Sequence, residues 1–128
     1  MEIKIKSFTD LKVWQKGHQL VLEIYQTTKS FPSEETFGLV IQLRRAAVSF
    51  VSNIAEGFSR SSFKEKSQFY SIALGSLTEM QSQILIAKDL GYITQSKLTQ
   101  FEIYFLELNK MTNGLIKRSR ISIRVLDS

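Results

Sequence analysis

One proline, Pro32, and six glycines in 128 residues leave few places where regular structure is forced to break. The breaks that matter fall at Ser30-Phe31-Pro32-Ser33, at Gly57 and at Gly91. Between them apolar side chains recur at spacings of three and four, the period of a helix with one side against a core. Two domains in so short a chain would each be too small, whereas 43% hydrophobic residues suffice for one core. The expected fold is all-α, an antiparallel up-and-down four-helix bundle over residues 1–118. Its helices are expected at about 10–29, 35–56, 62–90 and 94–117, with a basic tail at 119–128.

The helix borders follow from local chemistry. Thr9 or Asp10 can cap the first helix, and Pro32 ends it. Trp14, His18, Val21, Tyr25 and Thr28 form one row on that helix, and Val13, Gly17, Leu20 and Ile24 form a second beside it. Its apolar face is therefore wider than a simple seam needs. The second helix is expected to begin near Glu34 to Phe37, with Ser33 as cap. Its run Ala46 to Ala55 carries no charge and several small residues, as a helix enclosed by protein would. Ser62-Phe63-Lys64-Glu65 matches a capping box opening the third helix, whose core stripe is Phe69, Ala73, Ser76, Met80 and Ala87. Gly91 suits a left-handed C-terminal cap and Thr94 can cap the fourth helix. The stripe Leu98, Phe101, Phe105, Leu108, Thr112 and Leu115 then follows. Short connections force neighbouring helices antiparallel. At the ends, Ile3-Lys4-Ile5-Lys6 and Ile121-Ser122-Ile123-Arg124-Val125 alternate apolar and polar residues as half-buried strands do, so short extended segments are weighed against frayed tails.

A polar row on the second helix, Arg45, Ser49, Asn53 and Glu56, matches one on the third, Gln68, Ser71, Gly75 and Glu79. In an antiparallel hairpin this register sets Arg45 against Glu79, Ser49 against Gly75, Asn53 against Ser71 and Glu56 against Gln68. A catalytic cleft with Arg45, Glu56 and Glu79 is one reading. The preferred one is a structural network of Arg45, Ser49, Asn53, Glu56, Ser71 and Glu79 that fixes register, because Ser49 opposite Gly75 implies tight packing rather than a pocket.

Catalysis is tested by what a reaction would require. There is no cysteine, hence no thiolate nucleophile, thiolate zinc site or disulfide framework. His18 is the sole histidine, and neither a Glu-x-x-His unit nor an Arg-x(4–6)-His ribonuclease pair is present. Phosphate-binding glycine loops and a Gly-x-Ser-x-Gly elbow are also absent. No catalytic residue, cofactor or metal is assigned, and the chain is expected not to be an enzyme. The first residues lack the apolar run of a secretory leader, and no stretch approaches the ~20 apolar residues of a membrane span, so a cytoplasmic protein with no membrane partner is expected.

The net charge of +5 is unevenly spread: residues 1–109 hold 12 basic and 11 acidic side chains, and 110–128 hold five and one. Such a cluster attracts phosphate or acidic protein, or complements a helix terminus. Candidate nucleic-acid contacts are Lys12, Lys16, Lys110, Lys117, Arg118, Arg120 and Arg124, with the first two expected at the pole where the fourth helix ends. Arg60, Lys64 and Lys66 are read as a weaker patch at the opposite pole. Stacking aromatics are not evident among the exposed positions, so binding driven by charge and shape is expected.

Asp10-Leu11-Lys12-Val13-Trp14-Gln15-Lys16, Phe37-Gly38-Leu39, Gln42 through Ser49, and Ser52-Asn53-Ile54-Ala55-Glu56-Gly57 resemble a known family, as do Ile72 through Leu77 and Leu90-Gly91-Tyr92. Over about residues 8–118 the chain is similar to the four-helix bundle proteins encoded in intervening sequences of bacterial 23S ribosomal RNA genes. The resemblance implies a homo-oligomer, a pentameric ring. Through a related branch, the accessory variability determinant of diversity-generating retroelements, it implies RNA and a reverse transcriptase or other protein as partners. The ribosomal label of that family reflects gene location rather than a ribosomal role. A wide apolar face on the first helix agrees with a subunit contact. The residues lead to an oligomeric, nucleic-acid-associated bundle, with a protein-interaction scaffold as the rival.

Overall fold

A computed structural model describes residues 5–127, with side chains described for 5–121. It contains four helices: α1 Lys12–Thr28, α2 Ile41–Ser59, α3 Phe63–Asp89 and α4 Gln95–Asp127. Each packs on its neighbours in a closed circuit, α1 on α2, α2 on α3, α3 on α4 and α4 back on α1. Ion pairs Lys16–Glu107 and Lys97–Glu23, the latter at 3.0 Å, tie α1 to α4 in antiparallel sense. The start of α1, the end of α2, the start of α3 and the later turns of α4 therefore share one pole. Arg120 of α4 lies there over the Phe63 ring at 4.9 Å.

The caps are largely those the residues suggest. Ser62 caps α3, accepting from the Glu65 amide at 3.2 Å, but the expected capping box is only half made: the Glu65 carboxylate accepts from the Ser62 hydroxyl at 3.4 Å rather than from its backbone amide. Gly91 adopts φ 81°, and the Tyr92 amide donates to the Ala87 carbonyl at 2.9 Å as the chain turns toward α4. Thr94 accepts from the Lys97 amide at 3.1 Å. The first cap differs. Ser7 and Asp10 form a capping box around a short 3-10 turn, Phe8–Asp10, and α1 starts one residue later behind Leu11. The second helix also starts later than expected. A 3-10 turn at Ser33–Glu35 and a wide π-type turn at Thr36–Val40 come first, and Gly38 breaks helical geometry there with φ −111° and ψ −111°. The Glu35 carboxylate, not Ser33, caps this turn, accepting from the Leu39 amide at 3.4 Å.

One core fills the bundle, with Leu20, Ile24, Leu43, Phe50, Met80 and Leu108 among its fully buried members. Each such side chain contributes about 1.5–3 kcal/mol by leaving water. All six stripe positions of α4 from Leu98 to Leu115 are buried. On α3 Tyr70 is buried, while the expected Phe69 is only half-buried. On α1 the row Val13, Gly17, Leu20 and Ile24 faces the core, and Trp14, His18 and Tyr25 lie at the rim or outside.

Two expectations are corrected. The facing polar rows do not pair: Arg45, Glu56, Gln68, Ser71, Gly75 and Glu79 are all exposed. The real register is one residue further along, with Ser49 and Ser76 sharing a hydrogen bond at 2.8 Å and Gln83 donating to Gln42 at 3.4 Å. Asn53 donates to the Ser49 carbonyl and hydroxyl at 2.8 and 3.2 Å. The physical reason is that Ala73, Met80 and Ala87 take the inward face of α3 and turn its neighbouring row to water. Glu56 pairs instead with Arg60 on its own helix at 3.1 Å. Nor do residues 121–125 extend as a strand, since α4 runs unbroken to Asp127 and takes in most of the expected tail. Propagating an existing helix needs no new nucleus, which outweighs a short alternating pattern. Ile3 and Lys4 fall outside the described residues.

Candidate nucleic-acid interface

Three segments meet at the pole shared by the α1 start, the α2–α3 turn and the later part of α4: residues 6–12, 56–66 and 110–120. Together they carry nine lysines and arginines against three carboxylates, whereas segments 23–45 and 79–102, toward the other pole, carry five against six. The fold thus concentrates charge that is only mildly clustered along the chain. Arg60, Lys64 and Lys66, expected at the opposite pole, are in fact at this one, because an up-down-up-down path returns the end of α2 beside the start of α1.

Within the pole, a groove of about 450 Å³ lies between the start of α1 and residues 110–118 of α4. Lys110, Gly114 and Arg118 follow one another at four-residue spacing along one side of α4, so the two cations flank a position without a side chain. Lys12 faces them from α1, and Ile5, Leu11, Val13 and Met111 supply the apolar lining. Lys12, Lys110 and Arg118 are exposed and form no ion pair among the described residues. Asp10 also lines the groove, with its Oδ2 accepting from the Lys6 and Ser7 amides at 3.0 Å each.

The remaining candidates differ. Lys16 is committed to Glu107 and sits 5.2 Å from the Tyr104 ring centre, so it braces α1 against α4 instead of meeting a ligand. Lys117 and Arg120 are exposed but lie outside the groove, and Arg120 stacks on Phe63. Arg124 is in α4, with its side chain outside the described set. Of the second patch only Lys64 is uncommitted. Arg60 is paired to Glu56 and lies over Phe69, and Lys66 donates to the Gly57 and Phe58 carbonyls at 3.2 and 2.8 Å. Burial there lowers the Lys66 ammonium from its usual value.

No catalytic constellation assembles from the residues singled out. Arg45, Glu56 and Glu79 do not converge, and His18 stacks on Trp14 at 5.0 Å. Among the described residues no cluster of histidine and carboxylates could hold a metal, and no helix is long and apolar enough to cross a membrane. The sequence reading missed the Trp14–His18 stack on α1 and the Phe8 ring, from the turn before it, that meets Trp14 edge-on. The four-residue spacing of Trp14 and His18 was the available signal.

Two further grooves run on opposite flanks of the helix circuit. One, of about 470 Å³, lies on the α1–α2 side, lined by Tyr25, Ile41, Arg44, Arg45 and Val48. Arg44 is built in, its guanidinium donating to Thr28 at 3.0 Å and to the Tyr25 carbonyl at 3.3 Å. The other, of about 460 Å³, lies between α3 and α4, with Leu77, Glu102, Ile103 and Leu106 in its walls. Ile103 and Leu106 are 54% and 59% exposed, a large apolar area for a surface with no covering element.

Comparison with known proteins agrees with this architecture. Residues 9–114 match the family model of the 23S rRNA-intervening sequence proteins. The fold is similar to the crystal structure of a protein of unknown function from the S23 ribosomal protein family of Bacteroides thetaiotaomicron. The TM-score is 0.75 at 22% identity, over 82% of this chain and 95% of that one. No match was found among curated proteins.

Proposed function

Because the chain belongs to the 23S rRNA-intervening sequence protein family, we propose that it is a non-enzymatic, homo-oligomeric bundle that associates with structured RNA through its basic pole. The observation that carries this reading is the gathering of nine cations at one end of the molecule, three of them unpaired around a single groove. Phosphate contacts of this kind are individually weak. Several copies held in one assembly would add their contacts through raised effective concentration.

Two grooves with partly apolar walls on opposite flanks support self-association, because a face on α1–α2 that meets a different face on α3–α4 is a head-to-tail contact, which forms a ring where the rotation between copies closes. Five copies is the number the resemblance implies. The same grooves favour the second reading, a scaffold that presents its flanks to another protein, such as a reverse transcriptase, and touches no nucleic acid.

Salt dependence separates the two. Affinity for a structured RNA, measured by fluorescence anisotropy, should fall steeply as salt rises, by roughly 0.7–0.9 log units in K per log unit of salt for each phosphate contacted. Charge reversal at Lys110, Lys117 and Arg118 should flatten that slope and leave the oligomer unchanged. RNA affinity indifferent to salt, or no RNA binding by the pure protein, rejects the nucleic-acid reading.

A further inference from the structure

We propose that the groove between the start of α1 and residues 110–118 of α4 is a pocket for one unpaired nucleotide of single-stranded RNA. Its base would lie on Leu11, Val13 and Met111, and its adjoining phosphates on Lys12, Lys110 and Arg118. This rests on the nucleic-acid reading above and narrows it, since charge alone would treat duplex and single strand alike. Three observations carry it.

The first is the combination of an apolar floor with unpaired cations. Leu11 and Val13 are almost fully enclosed, so the bottom of the groove is the edge of the packed core, and the Met111 thioether is a favourable neighbour for an aromatic ring. A site for phosphate alone needs no such floor. At about 450 Å³ the groove is the size of a small-ligand pocket. A base in a duplex is stacked and paired and cannot enter it, whereas an unpaired base can turn its face to the floor.

The second is Gly114. Lys110 and Arg118 lie one turn before and after it on the same side of α4, and a Cβ built at Gly114 would meet only the Arg118 Nη1, at 3.6 Å. A glycine in mid-helix lowers helix stability, and here no neighbouring backbone or core side chain requires it. What it leaves is room for the Arg118 guanidinium to fold back over α4 toward Lys110, at the edge of the groove.

The third is Asp10. Its Oδ2 is taken by two backbone amides, and among the described residues its Oδ1 accepts no hydrogen bond. A carboxylate oxygen beside the base accepts from the amino group of cytosine and faces a repelling carbonyl oxygen in uracil. The same charge would disfavour an acidic peptide, the other ligand that three cations could draw.

The test compares oligocytidine, oligouridine and a blunt-ended duplex RNA without a loop by anisotropy at low salt, for the wild-type protein, Gly114→Leu, Gly114→Ala and Asp10→Asn. Gly114→Leu fills the space between the two cations and favours helix, so oligocytidine binding should weaken about tenfold or more while duplex binding stays within about twofold. Gly114→Ala, whose methyl has room, should weaken it less and serves if leucine disturbs the bundle. Asp10→Asn keeps an acceptor for the two amides and turns a donor to the base, so the preference for cytidine over uridine should disappear or reverse. Wild-type oligocytidine binding by both Gly114 variants, with salt-dependent duplex binding intact, overturns the pocket and spares the RNA reading. Binding of no RNA at all overturns both. Displacement of oligocytidine by hexaglutamate at equal concentration assigns the groove to acidic peptides instead.

Discussion

At Gly57 α2 runs against the ring of Tyr70 so closely that a Cβ there would meet the Tyr70 Cδ1 at 2.7 Å, and Tyr70 is itself enclosed. Neither group can move freely, so Gly57→Ala should destabilise the bundle by about 1–3 kcal/mol, read as a lower thermal midpoint. An unchanged midpoint would mean that the ring can shift after all. Tyr92 offers a pH-dependent reading. Its phenol donates to the Glu35 carboxylate at 2.8 Å, and that hydrogen bond, then burial, then the charges of Glu35 and Glu34 push it above its usual value. Burial raises Tyr70 as well, against the opposing Ser119 hydroxyl. With both phenols raised in the folded state, their contribution is complete below the unfolded value near 10 and is lost as pH rises past it. Tyr92→Phe should therefore show a smaller fall in urea midpoint between about pH 9 and about pH 11 than the parent. An equal fall in both proteins would assign the alkaline loss elsewhere.

Helix borders test how far local chemistry acts alone. The Ser62 hydroxyl caps the Glu65 amide at the exposed start of α3, so Ser62→Ala should cost about 1 kcal/mol in denaturant unfolding with no change in fold. A loss near zero would show that α3 is held by packing alone. This cap and the Thr94 cap were legible because each joins residues within one turn of helix. The start of α2 was not, since the break at Gly38 is set by how Leu39 and Val40 reach the core while Glu35 caps their turn. The length of α4 was misjudged for a related reason. Beyond Arg118 the alternation of isoleucine with polar residues suits a strand, yet a strand needs an edge to pair with, and the described residues form none.

For the whole molecule, the distribution of exposed groups matters more than any one contact. Arg45 borders the α1–α2 groove and Glu102 the α3–α4 groove, both exposed and without ion pairs among the described residues. If these flanks meet between copies, the two charges are suited to fix the register. Arg45→Glu and Glu102→Arg should each shift the protein toward monomer in light scattering, and the double exchange should restore the larger species. A protein that is monomeric at all concentrations, or single variants that assemble as the parent does, removes this interface. The basic pole lies at the bundle end and stays open in such an assembly.

The sequence by itself determined the four helices, their antiparallel order and the α4 stripe, because apolar periodicity and single-turn caps are local and the short connections leave one path for the chain. It also marked Lys12, Lys110 and Arg118 as cations near one end. Tertiary structure decided which of the two rows of α1 points inward and how α2 and α3 are set against each other. A shift of one residue between α2 and α3 carried Arg45 and Glu79 to water and brought Ser49 to Ser76. It likewise decided that Lys16 and Lys66 are occupied, by a carboxylate across the α1–α4 seam and by carbonyls at the end of α2. The groove around Gly114 exists only where residues about a hundred positions apart in the chain meet, and no periodic pattern records such a meeting.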